Sequence, residues 1–198
     1  MSVFTITETE YDQDCRWLFE TITNCMERTA KLLTETGISL ACGPRYIVGM
    51  LAPYSFAGKI RLLWEYARGR KKLSTALVQE IAIDFYRMMS LSPISSLRDV
   101  DDEDDDDDDA PRGPKEIDRA LELIESLFPH AICVIIMGAF GRSKLDAGKW
   151  IGAGELRALT ELTPDRAEAM HVESRRTDDG RVEFSPTDVW HVLSLRDA

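Results

Sequence analysis

Nine acidic residues in a row, Asp101, Asp102, Glu103, Asp104, Asp105, Asp106, Asp107, Asp108 and Asp109, interrupt the chain near its middle. Each carboxylate taken out of water without a partner carries a large desolvation penalty, so no core can absorb such a run. The 198 residues must therefore build their core from what lies before and after it. Pro111, Gly113 and Pro114 follow at once and read as a boundary. By composition, residues 99–114 form a self-repelling, disordered acidic linker. It separates an expected α-helical bundle over 1–98 from a helical segment over 115–198.

The formal net charge of −11 is unevenly spread. The first 98 residues are mildly basic, 115–151 balance, and the acidity is concentrated in the linker and, more weakly, in the last 47 residues. Nine adjacent carboxylates imitate the charge density of a phosphate backbone. They can compete for a nucleic-acid-binding type of protein surface, or cover the chain's own cations. Weak, unspecific binding of calcium or magnesium is also expected of them. The glycine and terminal glutamate of an EF-hand loop are missing.

Hydrophobic periodicity predicts helices on both sides. Residues 11–37 place Cys15, Leu18, Phe19, Ile22, Cys25, Met26, Thr29, Leu32 and Leu33 on one stripe, with Thr9 and Asp12 as a capping pair and Gly37 as the stop. A short helix is expected after Pro44, ended by Pro53. A third begins near Ser55 with Phe56, Ile60, Leu63, Trp64 and Ala67 inward. A fourth over 74–89 buries Leu77, Val78, Ile81, Phe85, Met88 and Met89. A fifth runs over 115–128 and stops at Pro129. The apolar run 131–140 is either a buried strand or a buried helix, since periodicity does not separate these. It is about half the length needed to span a bilayer. With no signal peptide in the first residues, a soluble cytoplasmic protein is expected.

Catalytic and metal signatures are missing. The stretch "MGAFGRSKLDAGKW" ends in Gly148-Lys149, but a phosphate-binding loop needs glycine where Ser143 stands and a hydroxyl where Trp150 stands. Its glycines are instead expected to serve turns. His130, His171 and His191 are scattered, no zinc spacing occurs, and no serine or cysteine sits in a G-x-S-x-G elbow. Cys15, Cys25, Cys42 and Cys133 read as reduced, partly buried thiols. No metal, no cofactor and no enzymatic activity are expected.

A basic segment, "GKIRLLWEYARGRKK", covers 58–72. Trp64 is in phase with the core positions. Arg68, Arg70, Lys71 and Lys72 are left as an exposed patch for nucleic acid, an acidic protein or the acidic run.

Residues 152–195 resemble the small winged helix-turn-helix of MerR-type regulators and phage excisionases. Glu155-Leu156 and Leu159-Thr160 match its first helix, "LTPDRAEAM" the turn and the start of its second, and "TDDGRVEFSPTDV" its wing and last helix. Asp179-Gly180 independently suits a hairpin turn, and Ser185, Pro186 and Asp188 suit a helix start. The resemblance implies possible DNA contacts by Arg166, Arg175, Arg176 and Arg181. Against it, the tight turn has Glu161 where glycine is common, and Asp165 and Glu168 would face phosphates. The fold class is thus mainly α: an N-terminal helical bundle plus a small C-terminal α(+β) winged-helix-like unit.

The function expected from these features is that of a non-enzymatic interaction protein, an adaptor, inhibitor or small complex subunit, whose acidic segment docks on a basic, nucleic-acid-binding type of partner. The alternative is a winged-helix DNA-binding regulator with an N-terminal oligomerisation or sensing domain. No membrane partner is expected, and a homo-oligomer is compatible with either.

Overall fold

The structure, a computed structural model, describes residues 1–35, 53–90, 117, 121, 124, 130–178 and 180–195. The acidic run and the expected short helix after Pro44 lie outside these residues, as does most of the expected helix over 115–128. Ile117, Leu121 and Ile124 are in helical conformation, and Ile124 is buried.

Seven helices and a small three-stranded sheet make up the described residues. They are α1 (Glu8–Glu35), α2 (Pro53–Ala67), α3 (Thr75–Ser90), α4 (Ala131–Asp146), α5 (Ala153–Thr160), α6 (Pro164–Ala169) and α7 (Pro186–Ser194). The strands are β1 (Ile151–Gly152), β2 (Ser174–Arg176) and β3 (Val182–Phe184), antiparallel in the order β1-β3-β2. No helix among the described residues is long and apolar enough to cross a membrane.

Several helix ends follow local chemistry that the sequence places slightly differently. The capping box of α1 uses Thr7 and Glu10, two residues before the expected pair. Thr7 N–H donates to Glu10 Oε2 at 2.8 Å, and Glu10 N–H donates back to Thr7 Oγ1 at 3.2 Å. Pro53 opens α2, two residues before the start expected near Ser55, because its fixed φ and missing N–H cost nothing in a first turn. Ser74 caps α3 by accepting from Leu77 N–H at 3.3 Å. On α1, Leu18 is buried, whereas Phe19, expected on the same stripe, is 38% exposed.

The apolar run resolves into the central helix. All of Ala131–Gly141 is buried, so α4 has no watery side over its first eleven residues. It packs against α1, α2 and α3 and also against α5, α7 and β1. The stretches before and after the acidic run thus meet in one core, from Val3, Trp64 and Phe85 to Leu159, Phe184 and Leu193. Its N-terminus is capped from α1: Asp14 accepts from Ala131 N–H and faces His130, whose ring stacks on Trp17 at 4.4 Å.

Two glycines of α4 serve close approach and not turns, correcting the expectation for this stretch. A Cβ on Gly138 would stand 2.3 Å from Val3 Cγ1, and one on Gly141 would stand 2.9 Å from Leu159 Cδ1. Only Gly148, at φ +65°, serves the turn after the helix. Val3 is fully buried in the notch over Gly138. Its N–H donates to Ala158 O of α5 at 2.8 Å, and its carbonyl accepts from Trp64 Nε1 of α2 at 2.8 Å. The first residues therefore form a strap joining α2, α4 and α5.

Where α4 meets α5, Glu155 is buried. It accepts from Gly152 N–H at 2.8 Å and pairs with Lys144 Nζ at 2.7 Å. Burial outweighs both partners and pushes its carboxyl above the ordinary value of 4.5. The folded chain then holds that proton to higher pH than the unfolded chain does. Stability from this site is present at low pH and declines as pH rises from 4.5 through the raised value.

Two stability predictions follow from this packing. Gly138→Ala is expected to lose about 1–3 kcal/mol by overpacking against Val3, whereas Gly58→Ala, with open space around its Cβ, is expected to gain roughly 0.5–1 kcal/mol from helix propensity. Urea titrations measure both, and a stabilised Gly138→Ala would contradict the Val3 notch. Glu155→Gln is expected to flatten the fall in stability between acid and mildly alkaline pH, read from midpoints at a series of pH values; an unchanged profile would place the decline elsewhere.

Candidate functional site

Residues 153–195 bring the sequence-predicted contact arginines together with the acidic side chains of α6. The chain passes from α5 to α6 through a tight turn in which Glu161 adopts the left-handed conformation, φ +65°, usually given to glycine. Its N–H donates to Arg157 O, and Thr5 Oγ1 donates to its carboxylate at 2.9 Å. The absence of glycine at this turn therefore did not prevent it; the strap holds the glutamate in place. Thr163 then caps α6 by accepting from Arg166 N–H at 3.4 Å, with Pro164 in the first turn. The helix ends at His171, also left-handed at φ +61°, where Val172 N–H returns to Ala167 O at 3.0 Å.

α6 buries Ala167 and exposes Asp165, Arg166, Glu168 and Ala169. Arg166 is thus a single cation on a helix whose other charged groups are carboxylates. After α6 come β2 and β3, joined by a turn in which Thr177 N–H donates to Arg181 O at 2.9 Å and Gly180 takes φ +83°. Gly180 takes the turn conformation expected of it; Asp179 lies outside the described residues. The register pairs Arg175 with Glu183 and Arg176 with Val182.

That register decides what the arginines can do. Arg175 donates from Nε and Nη2 to Glu183 Oε2 at 2.9 and 2.7 Å, and its guanidinium lies 4.4 Å from the Trp150 ring centroid. It is held on the protein's own surface. Arg176, the next residue along the strand, points to the opposite face and is exposed. Arg181 is exposed in the hairpin turn. Sequence reading missed the Arg175–Glu183 pair. The signal was present in the hairpin spacing, since a turn closed by Thr177 and Arg181 sets 175 opposite 183.

Next to the sheet lies a cavity of about 440 Å³ between α4, the start of α5 and β3. Met137 and Val182 give it an apolar wall, and Lys144, Glu155, Arg181 and Glu183 a charged one. Its acidic groups are already engaged: Glu155 by Lys144 and Glu183 by Arg175.

The basic patch lies at the C-terminal end of α2, where Arg142, whose guanidinium is 4.3 Å from the Trp190 ring centroid of α7, also reaches the turn. Arg68 is half-buried, while Arg70, Lys71 and Lys72 are exposed. Trp64 is core, 2% exposed, as its phase requires. Its ring carries the guanidinium of Arg61 at 5.0 Å on one side of the cluster and that of Arg68 at 4.9 Å. Glu8 binds Arg61 through both carboxylate oxygens, which holds the carboxyl below its ordinary value. The acidic run Asp101–Asp109 is outside the described residues.

No group of three or more His, Cys, Asp or Glu among the described residues is placed to hold a metal ion. Burial pushes the Cys15 thiol up and the Cys133 thiol up to about 12, so neither is an activated nucleophile. Cys25 and Cys42 fall outside the described side chains. Comparison with protein-family models, with curated proteins and with solved structures found no match.

Proposed function

We propose that residues 152–195 are a winged-helix unit that serves as a protein-docking module, and that the chain is a non-enzymatic interaction protein whose acidic segment engages a basic partner of the nucleic-acid-binding type. The order helix, helix, hairpin, helix, with β1 beside β3, supports the winged-helix reading. The observation that carries the docking reading is the charge on the contact face. The second helix offers Asp165 and Glu168 around one arginine, and the hairpin's Arg175 is neutralised by Glu183. Such a face repels a duplex and suits a surface rich in lysine and arginine. The nine carboxylates of the acidic run add to that preference.

The second reading is a winged-helix DNA-binding regulator. It is favoured by the exposure of Arg166, Arg176 and Arg181 on the same unit.

The two readings predict different losses. For docking, the full chain is expected to bind a lysine- and arginine-rich peptide at physiological salt, and replacing Asp104 through Asp109 by Asn is expected to abolish this; unchanged binding sinks the docking reading. For DNA binding, Arg166→Ala and Arg176→Ala are expected to weaken duplex binding by roughly 1–3 kcal/mol each without loss of folding. Arg175→Ala is instead expected to lower hairpin stability, because its guanidinium is committed to Glu183 and Trp150. Fluorescence anisotropy with thermal melts of each variant separates these outcomes.

A further inference from the structure

The end of α2 is built as a rigid cationic turn. Gly69 takes φ +75°, its N–H donates to Tyr66 O at 2.9 Å, and Arg70 N–H donates to Glu65 O at 2.8 Å. This pair of bonds is the Schellman ending of a helix, which fixes the backbone of 68–70. Four of the five residues from 68 to 72 are cations. They sit where the negative end of the helix dipole favours positive charge.

Glu8 and Glu65 lie near enough to act on Arg68, and Glu8 on Arg70, and Arg142 is paired with Asp146, but no described carboxylate is in direct ion-pair contact with the turn. Among the described residues, none of Arg68, Arg70, Lys71 and Lys72 has an ion pair with a carboxylate. The guanidinium of Arg142 also reaches the turn, with Nη1 3.0 Å from where a Cβ on Gly69 would be. Burial, followed by repulsion from Arg70, holds the Arg68 pKa below its ordinary value. Arg70, Lys71 and Lys72 thus leave the described surface with exposed positive charge on a backbone fixed by hydrogen bonds.

We propose that the turn 68–72 is a contact site for the phosphodiester backbone of a nucleic acid duplex, sequence-independent and carried by Arg70, Lys71 and Lys72. The apolar surroundings favour this over an acidic peptide. The aromatic rings of the segment, Trp64 and Tyr66, are buried, and the exposed large apolar side chains among the described residues are Met1, Phe19, Met170 and Leu195. The turn therefore offers neither a stacking platform for unpaired bases nor the apolar anchors on which peptide recognition depends. It offers charge and hydrogen-bond donors, with the arginine fork suited to phosphate oxygens. A regularly repeated anion along a stiff polymer is the ligand that fits. The inference does not rest on the docking role of the acidic segment.

Anisotropy titrations of the full chain with a random-sequence duplex of about 20 base pairs, at several salt concentrations, test it. Wild type is expected to bind at low salt, equally to two unrelated sequences. The triple variant Arg70→Ala/Lys71→Ala/Lys72→Ala is expected to bind at least roughly tenfold more weakly near 50 mM salt, with a slope of log affinity against log salt shallower by about 2–3. Lys71→Gln/Lys72→Gln, which keeps two polar side chains on the exposed turn, is expected to reduce the slope by about 2 and guards against a folding defect in the triple variant. Equal affinity and slope in wild type and variants would overturn the proposal, as would no duplex binding by wild type at low salt. Polyglutamate displacing duplex at equal charge concentration would also overturn it and assign the turn to an acidic protein surface.

Discussion

The described structure hangs on Val3. Its side chain fills the notch that Gly138 leaves in α4, its carbonyl holds the indole of Trp64, and its N–H holds the last turn of α5. Three helices from distant parts of the sequence are registered against one another by a single residue in an extended strap. None of these bonds is strong alone, since a hydrogen bond contributes about 1 kcal/mol net. Together they fix where α2 and α5 sit on α4, and they are made in surroundings from which water is excluded, where leaving either partner unpaired is costly.

Charge in this molecule is sorted by how it is paired. Glu8 with Arg61, Lys144 with Glu155 and Arg175 with Glu183 are used internally to position helices and the hairpin. The two exposed pairs, Glu8 with Arg61 and Arg175 with Glu183, contribute little stability and mainly hold arginine side chains on the protein's own surface, whereas the Lys144–Glu155 pair has its carboxylate buried. What faces outward is uneven: α6 exposes Asp165 and Glu168 beside Arg166, the hairpin exposes Arg176, and the turn after α2 exposes Arg70, Lys71 and Lys72.

Much of the helical frame was legible from periodicity, because among the described side chains α2 buries Ile60, Leu63, Trp64 and Ala67 and α3 buries Val78, Ile81 and Phe85; of the α1 stripe Leu18 is buried and Phe19 exposed, and its positions from Ile22 to Leu33 lie outside the described side chains. Trp64 in the core, Gly69 ending α2 and Pro186 opening α7 all follow from local rules. The ambiguous run 131–140 became a helix, for a reason invisible in its own pattern. It is covered on every side, so no polar face marks its period. The roles of Gly138 and Gly141 were hidden for the same reason, since a helix glycine that admits a neighbour looks like a turn glycine until the neighbour is known. The candidate site was half legible. The arginines could be found, but Arg175 could not be discounted without the strand register that sets it against Glu183. Glu161 is the converse case: a left-handed turn without glycine, held by a threonine 156 positions away.

That separation has a consequence for how the chain reaches its structure. The strap is synthesised long before its partners Ala158 and Glu161 emerge. Until then the apolar side of α2 and the indole of Trp64 lack their cover. A fold closed by contacts so far apart in sequence is slow to complete and exposes greasy surface while it waits.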